Sequence, residues 1–468
     1  MRINEEKLKQ IISSKIDSEL KIKKIERLSG GAAQETYHIE CIKGLDTQSL
    51  AFRRRAGGEF KDLNNDGPGL KGEALLMTCA KEVGVPSPKI YYVLSRDDDL
   101  GDGFIMEWLE GESLGRKILR DREYAAVRPK LAYECGTLAA RIHSIDLSKK
   151  GLQNLLPKMS PEDYVQQTWS RYKSFGVSQP TIDYVGCWLM NNLPKCHRST
   201  LVHNEFRNGN LLISSDGIVA VLDWEIAHIG DPMRDLGWLC TNAWRYGANL
   251  PVGGFGSYEQ LFQGYEDECG ISVDPAAVRF WEIFGAFWWS VTCLGMAQKS
   301  HQGLDPSIER VAIGRRSTEG QIDCINLLCP GLVSISEINY RQDNLEVSQV
   351  TELLKEVGHF LRQDVVRSTS GRTQFLSRVS ANSVDIVLRE IMSASVYRQI
   401  EQNSLRQFLS IEDESLEKLR LRLIEYLREG TCQLDNEALQ AHLRQTTVNQ
   451  IAIDNPKYSG LAQALKHR

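Results

Sequence analysis

Between Leu201 and Asp223 the chain sets three short apolar runs, LV, LLI and IVAVL, among polar residues: LVHNEFRNGNLLISSDGIVAVLD. Such runs are too short for helices, and SSDG at 214–217 is a turn signal between two of them. The neighbours behave differently. KLAYECGTLAARIHSI and the 179–192 and 275–299 regions repeat their apolar residues near 3.6. The fold must therefore hold a small hairpin inside a helical lobe.

The N-terminal third reads the other way round. Residues 7–16 suit a short helix, and KIKKIERLSGG a strand running into a glycine turn. ETYHIECI and SLAFRRR follow as strands, with Gly44 and Asp46 in the turn between them. GLKGEALLMTCAKEVGV suits a helix that Gly84 and the Pro86/Pro88 pair would stop. KIYYVLS and GFIMEWL are further strands. Residues 20–108 thus make a strand-rich lobe with one prominent helix. Polarity rises over 331–348, as in a linker. Beyond it, NSVDIVLREIMSASVYRQIEQNSL and SLEKLRLRLIEYLREG are again helical, the second ended by Gly430. A chain of 468 residues exceeds one compact core. The expected division is 1–108, 109–335 and 346–468, with the class α+β and the last part all helical.

Charge and cysteine content narrow the partners. A net charge of -5 gives no reason to expect nucleic acid or an anionic membrane. Eleven cysteines form no regular framework and include no CxxC. Most sit in apolar settings, as buried thiols of a reducing, cytoplasmic compartment do. The N-terminus lacks the apolar run of a signal peptide. The most apolar stretch, FWEIFGAFWWSVTCLGMAQ, carries Glu282 and falls short of a membrane span.

The polar residues among the short runs carry chemistry. An acid at Glu205, just past a strand, can take a proton from a bound hydroxyl. The amide of Asn210 and the carboxylate of Asp223 are oxygen donors of the kind Mg²⁺ takes. Phosphoryl transfer needs positioning and charge neutralisation above all. His203 reads better as a buried structural histidine than as a proton carrier.

HNEFRNGN, VLDWE and GDPMRDLGW together resemble the core of the aminoglycoside phosphotransferase family, which has a bilobal protein-kinase-like fold. The resemblance covers roughly residues 20–320 and implies ATP and Mg²⁺ as cofactors. It makes Glu205 the catalytic base and Asn210 and Asp223 the metal ligands. The family normally has aspartate at position 205 and commonly glycine at 204. The extra methylene of Glu205 moves its carboxylate by more than an ångström, a displacement that can cost about a hundredfold in rate.

A nucleotide site needs further parts. Gly30 and Gly31 offer a turn whose N–H groups can cradle phosphate, or simply a hairpin turn. Strand alternation puts Ala51 and Arg53 on one face and Phe52 and Arg54 on the other. Arg53 falls where the fold usually has its strand lysine; the alternative is three solvated arginines on an edge strand. Glu73 occupies the place of the family's helix glutamate, which pairs with that cation. FIMEWLEGESL resembles the lobe-connecting hinge, with Glu107, Trp108 and Leu109 to meet adenine. Asp231 and Asp235 are expected to be structural. Arg207 either neutralises transferring charge or holds its loop by a salt bridge.

In LDWE, Trp224–Glu225 stands where protein kinases have Phe–Gly, which points to a small-molecule acceptor. Trp244, Arg245, Tyr246 and Phe255 mix aromatic surface with one positive charge, and Gly253, Gly254 and Gly256 mark a mobile or tightly turned loop. With no acidic cluster there, the acceptor is expected to be neutral or anionic rather than an aminoglycoside. The subgroup also resembles kinase-like portions attached to some acyl-CoA dehydrogenases, which suggests a hydroxy acid or hydroxyacyl-CoA. The rival reading is an inactive nucleotide-binding scaffold. The last 120 residues resemble a helical domain of unknown function, in which Arg378, Asn382 and Arg389 share a face and Glu390 follows.

Overall fold

The computed structural model describes residues 3–28, 34–56, 67–195, 198–338 and 349–466. Its packing forms two compact units. One comprises Met1–Pro161 with Lys195–Glu282, the other Glu162–Pro194 with Ile283–Arg468. Residues 162–194 and 283–335, grouped by sequence with the second lobe, fall in the helical unit in this division.

The first unit opens with a helix at Glu5–Ile11, where Asn4 accepts the Lys7 N–H at 3.2 Å. Five antiparallel strands follow: β1 (Lys21–Arg27), β2 (Gln34–Lys43), β3 (Asp46–Arg55), β4 (Ile90–Val93) and β5 (Gly103–Glu107). Their order is β1-β2-β3-β5-β4. Lys43 pairs with Asp46, so Gly44 and Leu45 alone make the β2–β3 turn, with Gly44 at φ +62°. Burial alternates along β2, and Ile39 and Cys41 pack with Leu50, Phe52 and Ile105 against Leu8 and Ile11 of the first helix. Each such side chain contributes about 1.5–3 kcal/mol. β3 lies between β2 and β5, not at an edge. Arg54 is accordingly not a solvated arginine: it is buried and its guanidinium meets Glu35 at 2.8 Å. The helix Gly69–Glu82 ends just before Gly84, at φ +80°.

The rest of this unit is mostly helical around two small sheets. β6 (Thr200–Val202) pairs with β9 (His228–Gly230), and β7 (Leu211–Ile213) forms the expected hairpin with β8 (Ile218–Val221). The helices Arg128–His143 and Tyr258–Cys269 touch backbone to backbone. A Cβ on Gly136 would lie 2.1 Å from the Leu261 carbonyl oxygen, and one on Gly264 2.0 Å from that of Tyr133. Larger residues would force the pair apart.

The second unit is built of helices, including Pro180–Asn191, Ile308–Arg315, Ser317–Leu328, Leu416–Arg428, Glu437–Asp454 and the 39-residue Gly371–Leu409. Long-range polar contacts join them. Asp183, fully buried, accepts from Trp169 Nε1 at 2.9 Å, Tyr172 OH at 3.1 Å and Arg428 Nε at 2.8 Å. Among the described residues no helix is long and apolar enough to cross a membrane.

Candidate active site

The loop between β6 and β7 is fixed from below by one carboxylate. Asp235, on the helix Met233–Cys240, accepts the N–H groups of His203 at 2.8 Å and Asn204 at 2.7 Å, and His143 Nε2 lies 3.0 Å from it. Burial opposes its charge, yet the His143 contact and the His203 amide hold its carboxyl below the usual range. Asp231 accepts the Met233 N–H at 3.0 Å and Trp281 Nε1 at 2.8 Å. Both acids brace the fold. His203 is fully buried, and burial pulls its pKa down. Its Nδ1 accepts the Glu205 N–H at 3.2 Å, and its ring lies 4.4 Å from that of Trp224. A neutral, structural imidazole is the result.

Asn204 has φ +70°. That left-handed geometry suits glycine, and among other residues asparagine tolerates it best. Its Nδ2 donates to the Ile226 carbonyl at 3.1 Å. The chain then presents Glu205, which is 9% exposed. Its Oε2 accepts Arg207 Nε at 2.8 Å and Asn210 Nδ2 at 3.3 Å. Burial raises the Glu205 pKa, and the Arg207 guanidinium opposes the rise. Arg207 lies 4.2 Å from the Trp244 ring centroid, a cation–π contact that fixes the guanidinium. Asn208 Nδ2 donates to the Gly253 carbonyl at 2.8 Å. The glycine loop is tightly turned there, with Val252 bridged to Gly256.

The amide of Asn210 is oriented by its neighbours. Nδ2 donates to the Glu205 carbonyl at 3.0 Å, which leaves Oδ1 as the donor atom for a cation. The Leu222 N–H bonds the Asn210 carbonyl at 2.9 Å and brings Asp223 alongside. Asp223 also has φ +70°. A side chain held at positive φ at a strand end is a common sign of a position kept for function.

On the sheet, Arg53 reaches across to Asp223. Its Nη2 lies 3.0 Å from Asp223 Oδ1 and 3.3 Å from Glu73 Oε2. Gln34 completes the cluster: its Oε1 accepts Arg53 Nε, and its Nε2 donates to Glu73 at 2.9 Å and Glu225 at 3.1 Å. Burial pushes the Glu225 carboxyl up to about 7, helped by the charges of Asp223 and Glu73. Burial likewise raises that of Glu73.

Sequence reasoning missed Gln34 and Glu225. Gln34 was within reach, because it lies two residues before Thr36, the cross-strand partner of Arg53, and so on the same face. Glu225 was noticed only as a departure from protein kinases. Trp108 packs its ring 4.0 Å from that of His38 and donates Nε1 to Glu110 at 2.7 Å. Glu107, at the end of β5, donates its N–H to the Lys89 carbonyl at 2.8 Å, and Leu109 is half-exposed. Gly30 and Gly31 lie outside the described residues. Arg245 is not a free charge, since Glu282 holds its Nη2 at 2.7 Å.

A bilobal α/β unit that pairs a sheet arginine with a helix glutamate, and holds a loop acid, amide and aspartate nearby, has the fold of the kinase-like phosphotransferase class. The chain belongs to the phosphotransferase enzyme family, whose profile matches residues 24–280. A second profile, the domain of unknown function DUF6285, matches 367–458. Acyl-CoA dehydrogenase family member 11 of Homo sapiens is 25% identical over 395 residues, covering 77% of this chain and 47% of that protein. Acyl-CoA dehydrogenase family member 10 of Mus musculus is 28% identical over 234 residues, covering 47% of this chain and 20% of that protein. The chain thus spans less than half the length of these relatives. The fold of a putative aminoglycoside phosphotransferase from Ralstonia eutropha matches with a TM-score of 0.55 at 20% identity, over 68% of this chain and 96% of that one. The family's fold implies ATP- and Mg²⁺-dependent phosphoryl transfer in general terms.

Proposed function

We propose that the protein transfers the γ-phosphoryl group of ATP to a hydroxyl of a small molecule, with Glu205 as the base. The observation that carries this reading is the meeting of Arg53, Glu73 and Asp223 within 3.3 Å, beside the Glu205–Asn210 contact. The nucleotide would lie on residues 1–108, with Gly30 and Gly31 against its phosphates and Glu107, Trp108 and Leu109 against its base. The acceptor would lie on residues 109–335.

The donor set fits Mg²⁺. Asn210 Oδ1 and the half-exposed Asp223 carboxylate are hard oxygens. Among the described residues no three His, Cys, Asp or Glu converge as a metal cage. Mg²⁺ commonly takes one or two protein oxygens and completes its shell with phosphates and water. When bound, it neutralises charge on the phosphate oxygens. Arg53 holds a phosphate once it exchanges Asp223 for it, and Glu73 keeps the guanidinium in place. Glu205 orients the acceptor hydroxyl and takes its proton as the new P–O bond forms and the bond to ADP breaks. Arg207, steadied by Trp244, favours the ionised form of the Glu205 carboxylate against its burial.

With the Arg245 charge satisfied by Glu282, Arg207 is the cation closest to the base. That favours a neutral or anionic acceptor, and we take a hydroxy acid or hydroxyacyl-CoA as the class to test first. The relatives' description as acyl-CoA dehydrogenase family members suits that choice. An ADP-release screen against hydroxy acids, hydroxyacyl-CoA thioesters, sugars and amino alcohols tests it. In a positive pair Glu205→Ala should lower kcat by about 10²–10⁴, and an unchanged kcat would remove Glu205 as the base.

One observation favours an inactive nucleotide binder instead: Glu205 is buried against Arg207, and Arg53 is occupied by Asp223. Calorimetric nucleotide binding without turnover across the panel, with activity gained in Glu205→Asp, would decide for it.

A further inference from the structure

The helical unit contains a cavity of about 610 Å³ that the phosphotransferase reading does not use. Its walls are the helices Ile308–Arg315, Ser317–Leu328 and Gly371–Leu409 and the turn that follows Glu437–Asp454. The volume is in the range of pockets that hold small metabolites. We propose that it binds a small amphiphilic organic anion, with the anionic group at Arg389 and Lys457 and the apolar part on Phe375, Val379 and Ile386.

Charge balance carries the argument. Four cationic side chains line the cavity: Arg315, Arg316, Arg389 and Lys457. Two are committed. Arg315 Nε donates to Asp454 at 2.6 Å and its Nη2 to Glu390 at 2.5 Å, and Arg316 meets Glu319 at 3.0 Å. Of the other acids on the wall, Asp385 is paired with Arg362, and Glu309 lies 3.8 Å from Arg372. The cations left over are Arg389 and Lys457. Among the described residues no carboxylate lies within 4 Å of either.

Arg389 is half-buried and gives Nε to the Ile453 carbonyl at 2.6 Å. It therefore caps the last turn of Glu437–Asp454, and that fixes its direction without neutralising it. Burial pushes its guanidinium below the ordinary value, with Asp385 and Asp454 only partly restoring it. Lys457 is exposed at the mouth. An anion placed there would answer both charges.

The long helix that carries Arg389 also explains the apolar part. Phe375, Val379 and Ile386 project from one long helix, and Phe375 is 46% exposed. A large aromatic surface open to a charged cavity is costly without a ligand to cover it. Asn382, on the same helix, adds an amide donor. A phosphate monoester and a carboxylate share this chemistry, and the test separates them.

The full chain is titrated calorimetrically with hexyl phosphate, hexanoate, inorganic phosphate and hexylamine. At least one of the two alkyl anions should bind one to one, hexylamine should not, and inorganic phosphate should bind at least about fivefold more weakly than hexyl phosphate. Lys457→Glu should weaken the alkyl anion by about tenfold or more. Phe375→Ser should weaken it by about fivefold. Both positions are exposed, so unchanged thermal midpoints are expected and are checked by calorimetric melting. Asp223→Ala, in the other unit, should leave this binding unchanged. Failure of both alkyl anions to bind, equal binding of hexylamine, or an affinity indifferent to Lys457→Glu would each overturn the proposal.

Discussion

The two units treat their clustered acids in opposite ways. Around Arg53 and Arg207 in the first unit stand Glu73, Glu205, Asp223 and Glu225, with Gln34 as a neutral donor that bridges two of them. Acids outnumber cations, and burial pushes one of them, Glu225, up to about 7. In the second unit Asp183 has three donors of its own, and Asp454 has Arg315, Thr318 and Gln450. An acid with its own donors stabilises a packing. Acids that share too few cations leave a site short of positive charge, which a Mg²⁺ ion would supply on the proposed reading.

The sharpest way to break this contrast is to remove one acid from each side. Asp183→Ala strands Arg428, Tyr172 and Trp169, and should cost about 3–5 kcal/mol of stability, read as a lower urea midpoint for the second unit. Asp223→Ala relieves like-charge crowding, so its unfolding midpoint should stay close to the wild type. Turnover should fall by about 10²–10³. ATP should raise only the transition that Asp183→Ala leaves in place. If Asp223→Ala unfolds the protein, or Asp183→Ala is silent, the contrast fails.

Acid should threaten both units alike, through histidines buried neutral. Burial pulls His228 in the first unit and His442 in the second to about 4, against an ordinary 6.5. The sign follows from proton uptake. As pH falls from 6.5 towards 4, the unfolded chain takes up a proton that the folded one refuses, so stability is full above 6.5 and lost below it. Each histidine should account for about 3 kcal/mol over that span. His442→Gln should flatten the loss of thermal midpoint for the second unit alone. The smallest effect concerns Trp244. Trp244→Leu leaves Arg207 held by Glu205 alone, a loss of about 0.5–2 kcal/mol of cation–π contact. It should lower kcat several-fold while leaving nucleotide affinity unchanged.

What could be read from the chain was local. The β7–β8 hairpin, the helix bearing Glu73 and the placing of Arg53 opposite Phe52 follow from spacing and alternation over fourteen residues or fewer. The loop at 203–210 stood out because polar residues crowd there between two short apolar runs. Gln34 needed strand register as well as strand identity. Glu225 needed to be seen beside Glu73, 152 positions away. The helical unit was harder still. Thr181 meets Thr447 at 3.1 Å and Asp183 meets Arg428, contacts 266 and 245 residues apart, and no local period records them.

The ion pair between Arg53 and Asp223 has a kinetic consequence. On the proposed reading, a nucleotide arriving with its metal would unlatch a door that the protein keeps shut against itself, so that loading would be a swap of partners rather than an addition. Moderate salt loosens the latch and screens the visitor together. Affinity should therefore change little with ionic strength, while the rate of entry rises.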